Sequence, residues 1–475
     1  MKAKLIHNPL KALLVTLLLG GCVPVLNITK TENKSAPAGF SSSQDTSNTA
    51  KIQWREYFND QTLIALIDTA LKNNQELNIT LQEIEMRKNE VMARKGEYLP
   101  FGDIRIGGGP LKEGRYTWNG QSEEDLKANP EKAPEYVGDF MVSAVFSWEV
   151  DIWKKLRTAK KAAIFRYLSS VEGKNFMVTN LIAEVADSYY ELMALDNQLE
   201  IIQKNIEIQS NALQTIKQEK EAAKVSQLAV NRFEAQLLNT QNLQYDINQN
   251  IVETENKINF LTGRYPKPIQ RNAAAFNNIV LDTVYAGIPA QLLEKRRDVK
   301  QAELELIANK LDVKVAKANF YPSVRITAAA GLQAFNPAYL FNPESILFSL
   351  AGDLVAPLIN RNGIKATYYN ANAKQIQAVY NYERTILNAY VEVANQLSRI
   401  SNYSKSYNTK SKEVELLTQS VTISNQLFNS ARADYMEVLL TQREALETKI
   451  DLIEIKMKQM NARVNIYKAL GGGWN

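Results

Sequence analysis

Side chains that could act as nucleophiles or metal ligands are scarce in this chain. Its 475 residues include one cysteine, Cys22, and one histidine, His7. If the segment before Cys22 is removed and the thiol is modified, neither Ser-His and Cys-His catalysis nor a His or Cys metal site can be built. Paired carboxylates could still support hydrolysis, but no spacing of Asp and Glu favours it. We therefore predict a protein that is not an enzyme and holds no metal.

The first 22 residues have the pattern of a secretory signal. A basic start precedes the apolar run Ala12–Leu19, which is too short to span a bilayer. The segment Leu19-Gly20-Gly21-Cys22 looks like a bacterial lipobox, which predicts a signal peptide over 1–21 and a covalent lipid on Cys22 as the only prosthetic group. An ordinary signal peptide with an incidental cysteine is the alternative. The absence of Asp near Cys22 resembles signals for outer-membrane delivery, and the polar range 22–50 predicts a flexible lipidated tether.

The rest of the chain contains an internal duplication. A switch from a helical period near 3.6 to a strand period of 2 occurs at Tyr98-Leu99-Pro100 and again at Phe320-Tyr321-Pro322. Further on, matching residues recur at a constant offset of 208, ending on Gly263 and Gly471. We predict a first repeat over 51–263, a connector over 264–288 and a second repeat over 289–475.

Four segments alternate between apolar and polar residues, over 101–112, 139–150, 323–334 and 345–357. Each is about as long as a membrane-crossing strand, roughly 9–11 residues. The polar face, which would line a lumen, carries Arg105, Arg325 and Asp353; as an alternative, these are charges at a rim or in loops. Ordinary hairpins on a soluble core are the alternative for the strands themselves.

Long stretches almost free of Gly and Pro follow each strand pair. Their heptad pattern, lost near 222–226 and 431–435, predicts antiparallel coiled-coil hairpins that turn there. Asp60 is placed to cap an earlier helix, which we expect to break near Asn73-Asn74. Four strands cannot close a barrel and open edges are not tolerated in lipid, so two or three chains would combine. The predicted fold class is mainly α with membrane β.

Several segments together resemble the TolC-like outer-membrane efflux proteins, in their lipoprotein (NodT-type) branch. They are Trp54–Asn74, Trp148–Lys154, Ile288–Leu293, Arg296–Val299, Ala302-Glu303, Phe320–Pro322 and Pro357–Ile359. The resemblance covers essentially the whole chain after the signal. It implies a homotrimer with a twelve-strand transmembrane β-barrel and a long periplasmic α-barrel. Arg297 and Gln61 depart from the family pattern, which usually has proline at both positions.

The resemblance also implies a function and partners. It implies a passive outer-membrane exit duct of a tripartite efflux pump for small molecules and drugs. The implied partners are outer-membrane lipid, a periplasmic adaptor (membrane fusion) protein and an inner-membrane RND-type transporter. The formal net charge of +5, of which the signal contributes three, gives no reason to expect nucleic acid as a partner.

Family members narrow their periplasmic end with acidic rings just after the last hairpin turn. Glu437 falls on one such position, whereas Leu440 and Ala229 stand where the family is often acidic. We predict a gate there, in which two acids form rings of like charge and two cations pair across hairpins to hold it shut. The gate candidates are Asp434, Glu437, Arg432 and Lys224. The alternative is that all four are solvated charges at turns.

Two other functions are compatible with parts of the sequence. A duct for a type I protein secretion system would have the same pattern of helices and strands. A lipid-anchored coiled-coil scaffold without a pore predicts a single interrupted hairpin and no paired amphipathic strands. The doubled strand pairs favour the duct over the scaffold.

Overall fold

The fold was obtained as a computed structural model of the chain. It describes residues 23–26, 28–35, 37, 39–40, 49, 52–112, 137–279, 285–357, 359–430 and 432–474. The predicted signal peptide 1–21 and the lipidation candidate Cys22 lie outside the described residues.

Helices dominate the described residues, and a pair of strands interrupts them in each half of the chain. The first half contains α1 (Trp54–Tyr57), α2 (Gln61–Asn73), α3 (Gln75–Glu97), β1 (Phe101–Leu111), β2 (Val137–Val150), α4 (Lys155–Glu221) and α5 (Gln227–Leu261). The second contains α6 (Leu292–Lys295), α7 (Arg297–Ala318), β3 (Ser323–Ala334), β4 (Ile346–Val355), α8 (Asn362–Asn429) and α9 (Tyr435–Ala469). Within this part of the chain, no helix combines the length and apolar character needed to cross a membrane.

The duplication is visible in the helix ends. Helices α5 and α9 each span 35 residues, and both their first and their last residues are 208 positions apart. The helix before each ends in the same way: the Lys224 amide donates to the Glu219 carbonyl at 2.9 Å, and the Arg432 amide to the Leu427 carbonyl at 2.8 Å. Such bonds satisfy carbonyls that the last helical turn leaves free. Both turns therefore lie where the loss of heptad phase predicts them.

Two polar side chains organise the first helices. Asp60 caps α2 by accepting hydrogen bonds from the Thr62 and Leu63 amides at 2.8 and 3.2 Å. Asn74 separates α2 from α3; its Oδ1 accepts from the Leu77 amide at 2.9 Å. The predicted cap and the predicted break are both confirmed.

The strands form one antiparallel sheet in the order β1-β2-β3-β4. Arg325 on β3 lies opposite Glu149 on β2 and opposite Asp353 on β4. Because directly opposed residues share a face, this register decides which side chains lie together on each side of the sheet. Among the described strands, β1 and β4 each have one edge without a partner.

The chain divides into two compact units, each of which takes segments from both predicted repeats. One comprises Met1–Thr31, Met86–Tyr167 and Leu304–Val379; the other comprises Glu32–Glu85, Leu168–Glu303 and Tyr380–Asn475. The first holds the sheet and a cluster of Ala316, Phe320 and Tyr368. The second holds the main core, in which Tyr189 and Leu192 are fully buried. The two units are defined by spatial packing, whereas the predicted repeats are defined by sequence duplication. The repeat boundaries therefore stay a prediction.

Two described residues of the range 22–50 contact helices, and the flexible lipidated tether over that range stays a prediction. The Ile28 carbonyl accepts a hydrogen bond from Asn372 Nδ2 at 2.9 Å. Phe40 is only 3% exposed and stacks on the Tyr390 ring with 5.3 Å between centroids. A few apolar side chains are enough to hold a polar segment against helices, because each buried ring contributes strongly.

Candidate functional site

One face of the sheet is polar and carries the three charged residues predicted to line a lumen. Arg325 lies between Glu149 and Asp353 of its neighbouring strands, and Arg105 lies opposite Ser143. Since odd-numbered residues pair with odd-numbered residues throughout, all five lie on the same face. Arg105, Arg325 and Asp353 are exposed in the single chain. That this face lines a lumen stays a prediction.

The opposite face of the sheet is apolar and uncovered in the single chain. Ile104 on β1 is 78% exposed and Phe348 on β4 is 85% exposed. Hairpins on a soluble core would bury such side chains, so the structure disfavours that alternative. An open apolar face backed by a polar face is typical of membrane-crossing strands. The paired strands also contradict the scaffold alternative, which predicts none.

The two long hairpins pack together at their turns. Leu213 of α4, Phe233 of α5 and Leu439 of α9 belong to one buried cluster there. Arg232 of α5 also donates to the Met436 sulfur of α9 at 2.7 Å. Two helix starts are thereby fixed side by side, so charges near either turn lie close to the other hairpin.

The four gate candidates are exposed charges around these turns. Asp434 occupies the N-cap of α9 without a side-chain capping bond, and Glu437 lies in the first turn of that helix, where the helix dipole favours negative charge. Among the described residues, no ion pair within one chain joins these acids to Arg432 or Lys224. The structure therefore leaves all four available to neighbouring copies. No group of three or more His, Cys, Asp and Glu in the described part of the chain is placed to hold a metal ion.

Comparison with known proteins decides the family. The sequence model described as Outer membrane efflux protein matches residues 66–264 and 288–472, which is well over half of the chain. The chain belongs to the outer membrane efflux protein family. This membership confirms the resemblance found in the sequence and makes the chain an outer-membrane component of efflux.

Individual relatives match this efflux protein over most of their length. It is 27% identical to the solvent efflux pump outer membrane protein SrpC of Pseudomonas putida over 428 residues, which are 90% of this chain and 88% of that one. It is 24% identical to the cation efflux system protein CusC of Escherichia coli over 443 residues, 92% and 93% of the two chains. The CmeC outer membrane channel of Campylobacter jejuni has the same fold, with a TM-score of 0.84 at 19% identity over 95% of this chain and 94% of that one.

A partly buried carboxyl group of this efflux protein escaped the sequence analysis. Asp187 on α4 accepts a hydrogen bond from Asn465 Nδ2 of α9 at 2.8 Å, and its other oxygen, Oδ1, is buried without a hydrogen bond in the described structure. Burial raises the pKa of Asp187 from its usual 3.8 to about 7, although the Asn465 bond and the charges of Lys468 and Lys257 oppose the rise. No sequence signal marks this site, because Asn465 is 278 residues away.

We expect Asp187→Asn to stabilise the protein at pH 8 and to have little effect at pH 4. The pKa of Asp187 is higher in the folded than in the unfolded chain, so between about pH 4 and 7 the folded state binds more protons and stability falls as pH rises. Asparagine cannot ionise, so the variant keeps the stability that the wild type loses over this pH range, about 2–4 kcal/mol. The measurement is thermal unfolding of both proteins from pH 4 to 8. Asp246→Asn, at an exposed position of α5, is the control; parallel profiles for wild type and Asp187→Asn would contradict the prediction.

Proposed function

We propose that three copies of this chain close a twelve-stranded barrel and form a passive duct that releases small molecules from the periplasm to the exterior. The observation that carries the proposal is the four-stranded sheet with one exposed apolar face and one polar face. In lipid, an unpaired strand edge is strongly unfavourable because nothing else can satisfy its backbone groups. Pairing β1 of one copy with β4 of the next removes both edges.

The same arrangement places the long helices in the periplasm. There they would form an α-barrel that docks to a periplasmic adaptor and, through it, to an inner-membrane RND-type transporter. Family membership supports these partners, and the names of the relatives SrpC and CusC support small molecules or ions as the exported class.

We further propose that Cys22 carries a covalent lipid, as its lipobox-like context predicts. The next residue, Val23, packs against the cluster of Ala316, Phe320 and Tyr368, and Phe320 is three positions before β3. A lipid at position 22 would therefore lie beside the strands and insert into the membrane that they cross. Mass spectrometry of the mature N-terminus tests this, because an unmodified thiol there would refute it.

The periplasmic end of the duct is proposed to be narrowed by the gate candidates. Each copy brings Asp434 and Glu437 to the start of α9, and neither acid forms an ion pair with another described residue of its own chain. Threefold repetition would form rings of like charge, which attract cations and are relieved by protonation or by separation of the helices. Arg432 and Lys224 on neighbouring turns would pair with these acids and hold the ring shut.

The gate predicts that Glu437→Ala and Asp434→Ala each raise single-channel conductance in planar bilayers, by at least about twofold, because the ring loses its ion pairs. Asp246→Ala removes another exposed carboxylate, 19 residues into α5, and should leave conductance unchanged. If neither Glu437→Ala nor Asp434→Ala alters the conductance of the pore, the gate is refuted and the duct is retained. Folded, oligomeric protein without conductance in every variant would refute the duct.

A further inference from the structure

The helix segments next to the sheet are strongly basic. Four such segments adjoin the strands: 86–100, 151–167, 304–322 and 359–379. Together they contain 16 Lys and Arg residues against five Asp and Glu. This excess of positive charge beside the sheet requires an explanation.

All five acids of these segments are already engaged. Asp151 is buried and accepts the Leu156 and Arg157 amides at 3.0 and 2.9 Å, which caps α4. The others form ion pairs: Glu90 with Arg87, Glu97 with Arg94, and both Glu305 and Asp312 with Arg166. These contacts pair the acids with arginines or use them to cap a helix, and Lys155 pairs with Glu149 of β2.

Six of these lysines are exposed and form no ion pair or side-chain hydrogen bond with the described part of the chain. We call them the basic collar: Lys95, Lys154, Lys161, Lys314, Lys317 and Lys365. They come from α3, α7, α8 and the start of α4, within about ten residues of a strand end. At 1.5 Å per helical residue, the collar lies within about 15 Å of the edge of the sheet.

Aromatic side chains lie where the strands meet the helices. Trp148 stands on the apolar face of β2, and its indole N–H donates to the Tyr98 carbonyl at 3.0 Å. The ammonium of Lys160 lies over the Tyr98 ring, 5.6 Å from its centroid. Tyr98 thus contacts both a tryptophan of the apolar face and a lysine. Trp and Tyr prefer the headgroup level of a membrane, where one end of the ring is apolar and the other is wet.

A second aromatic pair marks the other junction. Trp153, which is 43% exposed, stacks on Tyr321 with 4.8 Å between centroids and donates to the Pro322 carbonyl at 2.7 Å. Lys154 follows Trp153 directly, and Lys317 is four residues before Tyr321. Collar lysines therefore flank the aromatic level in both repeats.

We propose that the basic collar binds the phosphate groups of anionic phospholipids in the membrane leaflet that faces the helices. The proposal rests on the membrane strands of the proposed function. Lysine is a flexible point charge, and these six are spread over several helices rather than converging on one pocket. That arrangement suits a layer of mobile headgroups better than a single bound ligand. Several cations held at an anionic surface add up, and their attraction weakens with salt.

The test measures lipid retention by the complete, detergent-purified protein. Native mass spectrometry counts phosphatidylglycerol and phosphatidylcholine molecules retained after exposure to an equimolar mixture. Wild type should prefer phosphatidylglycerol, and changing all six collar lysines to glutamine should lower that preference at least about tenfold. The matched control changes six exposed lysines remote from the strands to glutamine: Lys72, Lys217, Lys220, Lys267, Lys405 and Lys412. It should keep the wild-type preference.

The outcomes separate the collar from the duct. Equal phosphatidylglycerol retention by the collar variant and wild type would overturn the collar, and so would an equal loss in the control variant. Conductance of each variant in bilayers of phosphatidylcholine alone reports on the duct independently, because no anionic lipid is then present. Pores from wild type without any lipid preference would refute the collar and leave the duct intact; absence of wild-type pores would refute the duct. Circular dichroism verifies that each variant is folded.

Discussion

Replacing Arg296 by methionine should destabilise this efflux protein by about 3–5 kcal/mol. The Arg296 side chain is only 4% exposed, so its guanidinium depends on protein groups for its hydrogen bonds. Its Nε and Nη2 donate to the two carboxylate oxygens of Asp298 at 3.0 and 2.6 Å, and its Nη1 donates to Glu392 at 2.5 Å and to the Ala469 carbonyl at 3.1 Å. Methionine fills similar space but leaves the Asp298 carboxylate without its partner and the end of α9 without a donor.

The loss of stability is measured by thermal unfolding, followed by the circular dichroism signal of the helices. Arg55→Met is the matched control, because Arg55 binds both oxygens of Asp68 in the same way but with its side chain 53% exposed. That change should cost less than about 1 kcal/mol. Arg296→Lys should fall between, since lysine keeps the charge and loses the planar two-oxygen contact. Similar losses for Arg296→Met and Arg55→Met would show that burial adds nothing to this cluster.

The faces of the strands could be predicted from sequence because the strand period is two. Once Phe348 and its alternate neighbours are assigned to an apolar face, Asp353 must lie on the other. The same logic places Arg325, and the register then sets Asp353 and Arg325 opposite each other. Alternation cannot predict the strand order, because any two strands can pair if their apolar residues lie on the same face. The pairing of β2 with β3, which joins the two repeats, is known only from the structure.

Local signals also gave the helix ends, whereas burial depended on distant partners. Asp60 and the turn at 222–226 are recognisable because capping and heptad phase involve residues close in sequence. Asp187 gives no such signal: its burial and raised pKa come from packing of α4 against α9. The burial of Phe40 could not be predicted for a related reason, since the average polarity of the surrounding segment hides a single ring. The gate residues could be placed at turns, but their pairing between copies is a property of an assembly.

Gly263→Ala should destabilise the protein by at least about 3 kcal/mol, a much larger effect than loss of one methyl-sized contact. Gly263 follows α5 with φ +67°, a left-handed conformation that costs an alanine about 1–2 kcal/mol. An added Cβ would also lie 2.3 Å from the carbonyl oxygen of Asn73, at the break between α2 and α3. That oxygen belongs to the backbone and cannot rotate away.

The strain would spread because this contact joins two helix ends. Asn74 Nδ2 donates to the Leu261 carbonyl at 3.0 Å, so moving Asn73 away from Gly263 also breaks a buried hydrogen bond that closes α5. Gly96→Ala on α3 is the matched control, since a Cβ there meets nothing within 4 Å and alanine favours a helix by about 1 kcal/mol. Thermal unfolding should therefore shift in opposite directions for the two variants. A Gly263→Ala protein as stable as wild type would contradict the prediction. It would mean that the break between α2 and α3 can move at no cost and that Gly263 is not needed to pack this break against α5.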